Sequence, residues 1–184
     1  QGHETLVSTI LGEVMQIDPE LIRITRPNSL ESLPGNSPVG SRMAIMLGGA
    51  AARAGEKLKA KIMAIAVHRL DVAIDQLRYE GGDVLANDGR RFTWDEMVEL
   101  AHRQYHNLPD GMDPGLASFD IMQVPTGDAL PVDDKVQMYP CYSFEFHLLL
   151  VSFDPLIGRP YIHSYVIGPD CGTVLNPALR SGMT

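Results

Sequence analysis

Residues 43–79 read MAIMLGGAAARAGEKLKAKIMAIAVHRLDVAIDQLRY, and this stretch decides the fold. Leu58, Ile62, Ile65, Ala66, Ala73 and Leu77 recur on one side, while Glu56, Lys57, Lys59 and Lys61 fall mostly elsewhere. That is the pattern of an amphipathic helix. Its first half is crowded with Gly48, Gly49, Ala50, Ala51, Ala52, Ala54 and Gly55, small enough to let a neighbouring element approach closely. Glycine lowers helix propensity, so that half needs tertiary support. The periodicity predicts a helix over 43–79, ended by Gly81-Gly82.

Upstream, Leu6, Val7, Ile10, Leu11 and Val14 form a second helical stripe within 4–15. Asp18-Pro19 marks a turn, and Leu21–Thr25 reads as a short strand. Residues 26–40 are rich in Pro, Ser, Asn and Gly; so long a loop suits binding. Downstream, 83–92 reads as a hairpin turning at Asp88-Gly89. Thr93 and Glu96 form a capping box for a helix near 94–105. Residues 107–140 lack periodicity and read as an irregular segment wrapping over another surface. Residues 143–153 give the strongest strand signal, with Phe144, Phe146, Leu148, Leu149, Leu150 and Val151. A turn from Asp154-Pro155 to Gly158 leads to a partner strand over 161–167. The fold class is α+β: helices packed on a small mixed sheet, with the irregular segment near 107–140, in one domain over 1–184.

Composition narrows the functional classes. The chain has 184 residues, 45% of them hydrophobic and 21% charged, so it buries a core and is not disordered. No run approaches the roughly 18 apolar residues of a membrane span. A net charge of −8 argues against a general nucleic-acid binder. Cys141 and Cys171 are the only cysteines, so no four-cysteine zinc or iron–sulfur site fits. Both read as reduced thiols of a cytoplasmic protein. The chain begins at Gln1 without an initiator Met, which suggests a processed chain or a fragment.

Two places suit an anion. Gln1-Gly2-His3-Glu4-Thr5 opens the first helix, whose first-turn N–H groups attract negative charge. Gly35 through Gly40-Ser41-Arg42 opens the second, adding a hydroxyl and a guanidinium suited to phosphate. No Gly-Lys-Ser/Thr follows, so this is not a Walker loop. His102 and His106 are spaced i, i+4 with Glu99 nearby, yet without an HExxH pattern. A solvated or capping role is favoured; a stand-alone metal hydrolase is the weaker reading. His68, His147 and His163 read as packed or hydrogen-bonded, and Glu145 as solvated or structurally paired. Cys171, in an Asp-Cys-Gly turn, has no neighbouring His to make it a nucleophile.

Taken in order, these motifs resemble the molybdenum hydroxylases, the family of xanthine dehydrogenase, aldehyde oxidase and aerobic carbon monoxide dehydrogenase. Gln1-Gly2-His3-Glu4-Thr5 resembles the family's glycine-glutamine-glycine motif. Gly40-Ser41-Arg42 and the small-residue helix are similar to its second cofactor loop, in a form closer to the carbon monoxide dehydrogenase-like branch. Phe144–Phe153, Asp154–Gly158 and Asp170-Cys171-Gly172-Thr173-Val174-Leu175-Asn176-Pro177 resemble its strand pair and ending.

The resemblance implies part of a molybdopterin-binding domain in an oxidoreductase large subunit. Gln1, Gly2 and His3 would contact the pterin or its phosphates. Gly40, Ser41 and Arg42 would contact the phosphate or nucleotide part of a molybdopterin cytosine dinucleotide carrying molybdenum. The catalytic glutamate is matched by no residue here, so the chain is expected to be silent alone. The implied partners are the remaining large-subunit chain or domains, an iron–sulfur subunit and a flavin subunit. The alternative is a cofactor-free binding or scaffold module that retains the fold.

Overall fold

A computed structural model describes residues 2–26, 28–30, 40, 42–123 and 141–177. The chain divides into two compact units, 1–124 and 125–184. The α+β architecture is as the sequence predicts. Its strands form two separate antiparallel sheets.

The first unit begins with α1 (His3–Met15). The chain then bends at Asp18, whose carboxylate accepts the Glu20 N–H at 2.9 Å. Leu21 belongs to a 3-10 turn, Pro19–Leu21, and residues 22–25 follow without strand pairing. This corrects the strand expected at Leu21–Thr25. Pro19 at the turn's first position and the bond from Ile22 N–H to the Pro19 carbonyl fix the turn instead.

The long helix, α2, runs from Met43 to Leu70 and stops nine residues short of the predicted end at 79. Asp71 adopts a left-handed conformation (φ 53°) that closes the last turn, its N–H bonded to the Val67 carbonyl. Arg90 donates to the orphan carbonyl of Leu70 at 2.6 Å. That bond spans 20 positions in sequence, which is why local periodicity overran the end. Ala73 and Leu77 therefore lie outside the helix. Gly81-Gly82 turns a hairpin between β1 (Leu77–Glu80) and β2 (Asp83–Ala86), and β3 (Arg91–Phe92) completes an antiparallel β1-β2-β3 sheet. The expected turn at Asp88-Gly89 joins β2 to β3, with Gly89 at φ 91°.

Next comes α3 (Trp94–His102), shorter than the 94–105 expected. Its capping box is present: Thr93 Oγ1 accepts the Glu96 N–H, and Glu96 accepts the Thr93 N–H at 2.9 Å. The Asp83 carboxylate accepts the Trp94 N–H at 2.6 Å. Burial opposes ionisation of Asp83, but hydrogen bonds from Arg91 and Trp94 and the Arg91 charge outweigh it and hold the carboxyl below its usual range. Ile62, Ile65 and Ala66 of α2 pack with Met97, Leu100 and Ala101 of α3 and with Tyr79, Val84 and Phe92 of the sheet to form the core. Tyr79 ties the sheet to α1, donating to the Met15 carbonyl at 3.1 Å.

Residues 108–123 form no helix or strand and lie along α2, as the wrapping segment was expected to do. The rest of the predicted irregular segment, 124–140, lies outside the described residues. In the second unit, β4 (Phe144–Asp154) pairs antiparallel with β5 (Arg159–Asp170), with a register shift at Leu150/Val151.

Candidate functional site

The site is built on two helix starts. Gly2 caps α1 in the left-handed region (φ 73°), a conformation that favours glycine. Arg42 caps α2, preceded by Gly40 at φ 69°. Neither Gly2 nor Arg42 caps its helix with its own side chain, whereas α3 has both a capping box and the Asp83 carboxylate. The first-turn amides of an α-helix have no partner within the helix. Here two sets of them follow N-cap residues that give no side-chain cap of their own.

Packing brings the two sets to one end. Gly48 of α2 faces Ile10 of α1, and Gly55 faces Leu11 and Val14. Positions rise together along both helices, so α1 and α2 run parallel. Gly2 precedes Ile10 by eight residues and Arg42 precedes Gly48 by six. At about 1.5 Å per residue these are rises of about 12 and 9 Å, so the starts are level to within about one turn. The connection makes this parallel arrangement feasible. Pro19 packs on Gly12, and Arg26 reaches back to Glu4 at 2.7 Å, so the chain returns along α1 before α2 begins.

Arg26 was not identified by sequence reasoning. Its hydrogen bond and charge hold the Glu4 carboxyl below its usual range and so pair the one acidic side chain in the first turn of α1. A partner 22 positions away carries no local signature. Of the predicted contacts, Gly2, His3 and Arg42 sit at this shared pole, with Gly40 just ahead of Arg42; Gln1 and Ser41 lie outside the described residues. Aligned dipoles, first-turn amides and guanidinium groups together suit an anion such as a diphosphate. A groove of about 510 Å³, lined by His68, Arg69, Leu100, His106 and Asp110 among others, lies at the opposite end of α2. Helix C-termini there disfavour anions.

The other candidate residues have structural partners or are exposed. His102 ends α3, and its Nε2 accepts the Leu116 N–H at 3.2 Å; His106 falls in a separate 3-10 turn, off the predicted helix face. Among the described residues no three His, Cys, Asp or Glu side chains converge on a metal position. His68 is exposed. Glu145 Oε2 lies 3.1 Å from His147 Nε2, and His147 Nδ1 lies 2.6 Å from the Tyr165 hydroxyl. His163 pairs with the Ser152 hydroxyl at 2.7 Å. Cys141 and Cys171 are free and exposed. The Asp170 carboxylate accepts the Gly172 N–H, closing the Asp-Cys-Gly turn.

A family profile for the molybdopterin cofactor-binding domain matches residues 1–183. This chain belongs to that family. It is 28% identical over 182 residues to the carbon monoxide dehydrogenase large chain of Hydrogenophaga pseudoflava, a match covering 99% of this chain and 21% of that one. It is 24% identical over 184 residues to the nicotine 6-hydroxylase large subunit of Paenarthrobacter nicotinovorans, again with 99% and 21% coverage. A crystal structure of copper- and molybdenum-containing carbon monoxide dehydrogenase, in its carbon monoxide-reduced state, superposes with a TM-score of 0.78 at 26% identity, over 99% of this chain and 21% of that one. The chain thus spans about one fifth of the length of these relatives. No described helix is long and apolar enough to cross a membrane.

Proposed function

We propose that this chain supplies one wall of the molybdopterin cradle in the large subunit of a cytoplasmic molybdenum oxidoreductase. The observation that carries the reading is the shared pole, where two parallel helices start side by side, neither capped by the side chain of its own N-cap residue. The donors present fit the group. Amides from Gly2, His3 and the rest of the first turn of α1 would receive the pterin side or its phosphates. Gln1, Gly40, Ser41 and Arg42 would complete the set, Arg42 and its loop holding the phosphate or nucleotide of a cytosine dinucleotide form. When bound, the cofactor supplies the molybdenum-centred redox chemistry. This chain's part is to bind and orient it.

Glu145 is not assigned as the catalytic base, since it is paired with His147 on an exposed hairpin. The chain is inactive alone on this reading and is completed by the remaining large subunit, with iron–sulfur and flavin subunits as electron-transfer partners. Substituting Arg42→Ala in the complete enzyme tests it. A charge-assisted phosphate contact contributes roughly 1.5–3 kcal/mol, so pterin content is expected to fall about tenfold or more at limiting cofactor. Unchanged pterin content would remove Arg42 from the cradle.

A further inference from the structure

Arg53, Lys57 and Lys61 occupy i, i+4 and i+8 on one face of α2. Such a row of like charges destabilises its own helix unless it is answered. The segment 108–123 answers every member. Arg53 Nε lies 3.0 Å and Lys57 Nζ 2.6 Å from the Asp120 carboxylate, whose side chain is only 2% exposed. Lys57 also donates to the Phe119 carbonyl at 3.2 Å, and Lys61 to the Asp113 carbonyl at 2.8 Å. Ser118 Oγ donates to the Ala54 carbonyl at 2.7 Å, and Met122 packs on Gly49, where a Cβ would come within 3.0 Å of its Cγ.

Residues 113, 118, 120 and 122 thus meet 61, 54, 53 and 49. The strap runs antiparallel to α2 and heads for its N-terminal end. Gly49 is six residues from Met43, a rise of about 9 Å. We propose that Asp120 is a positioning residue for the cofactor site: by clamping the strap to Arg53 and Lys57, it fixes Ile121–Gln123 as a third wall beside the two helix starts. The inference rests on the reading of that pole as the molybdopterin site. Asp120 itself touches no ligand. It acts through where the strap delivers Met122 and Gln123.

The test uses the complete large subunit with its partner subunits, carrying Asp120→Asn or, separately, Ser118→Ala. Pterin is followed by fluorescence after oxidation, both as content and as its rate of loss from desalted protein, alongside thermal unfolding. Asp120→Asn should lose pterin about tenfold faster, the low end for groups that orient a binding site through another residue. Ser118→Ala loosens the same strap at the same level of α2 but leaves the Asp120 clamp to Arg53 and Lys57 intact, and should retain pterin like the parent, whatever its melting temperature. If retention follows melting temperature in both variants, Asp120 is merely structural and the proposal falls. Should Asp120→Asn not fold, Met122→Ala leaves the clamp intact and trims the wall. Faster pterin loss from it supports the proposal and unchanged loss overturns it. Absence of pterin from the parent enzyme would overturn both this inference and the functional reading beneath it.

Discussion

Gly48 and Gly55 both permit α1 to lie close on α2, but they do so against different neighbours. A Cβ at Gly48 would come within 2.8 Å of Ile10 Cδ1, the far end of a side chain that can swing away. At Gly55 it would come within 2.8 Å of Val14 Cγ1 and 3.4 Å of Val14 Cβ, a branched and stiff group. Alanine gains about 1 kcal/mol of helix propensity at either position, while overpacking costs about 1–3 kcal/mol. Gly48→Ala should therefore be near neutral and Gly55→Ala destabilising by about 1–2 kcal/mol in denaturant unfolding. Equal effects would mean the helices do not pack as described. Asp120 sets a second expectation. The hydrogen bond from Lys57, with Arg53 and Lys57 charge adding to it, holds its carboxyl below the usual range. The ionised form then favours the docked strap at every pH above about 4, and that contribution is lost as pH falls below the usual carboxylate range. Hydrogen-exchange protection over 113–123, taken relative to the intrinsic amide rate at each pH, should fall on acidification below about pH 4 in the parent, with no such step in Asp120→Asn.

Among the elements, the β4–β5 hairpin is the least self-sufficient. Phe144, Phe146, Leu148 and Leu150 alternate onto one face and are 72%, 67%, 59% and 62% exposed. A lone two-stranded hairpin is marginal in water, so this face is expected to be covered in the complete subunit. The chain produced alone should bind an environment-sensitive apolar dye, and Phe146→Ser with Leu148→Ser should reduce that signal. An undiminished signal would place the exposed patch elsewhere. What could be read from sequence follows the range of the interactions. The capping box spans three residues and the hairpin turns span two to four, so Thr93, Glu96, Asp88-Gly89 and Asp154–Gly158 were legible locally. The end of α2 depends on Arg90, 20 residues away, and the charge at the α1 start on Arg26, 22 residues from Glu4. Neither leaves a local trace. Ala73 and Leu77 happen to continue the helical period, which hid β1 until the sheet supplied its partner. The two helix starts were visible as glycine-bearing openings, but their meeting at one pole required the parallel packing.

At the scale of the whole molecule, the first unit is a device for starting two long helices at the same end. The return segment after α1, the small-residue face of α2 and the sheet beneath their far ends all serve that arrangement. The third helix is capped by the side chain of its N-cap residue, and among the described residues the other two are not. Relatives about five times as long contain the same fold, so this unit is read as one wall among several. An experimental density map of the complete, cofactor-loaded subunit tests this most directly. The account predicts the cofactor's diphosphate within about 3 Å of first-turn amides at the start of α1, α2 or both, with the Arg42 guanidinium against it. Diphosphate density held elsewhere, with both helix starts facing only protein or solvent, would contradict it.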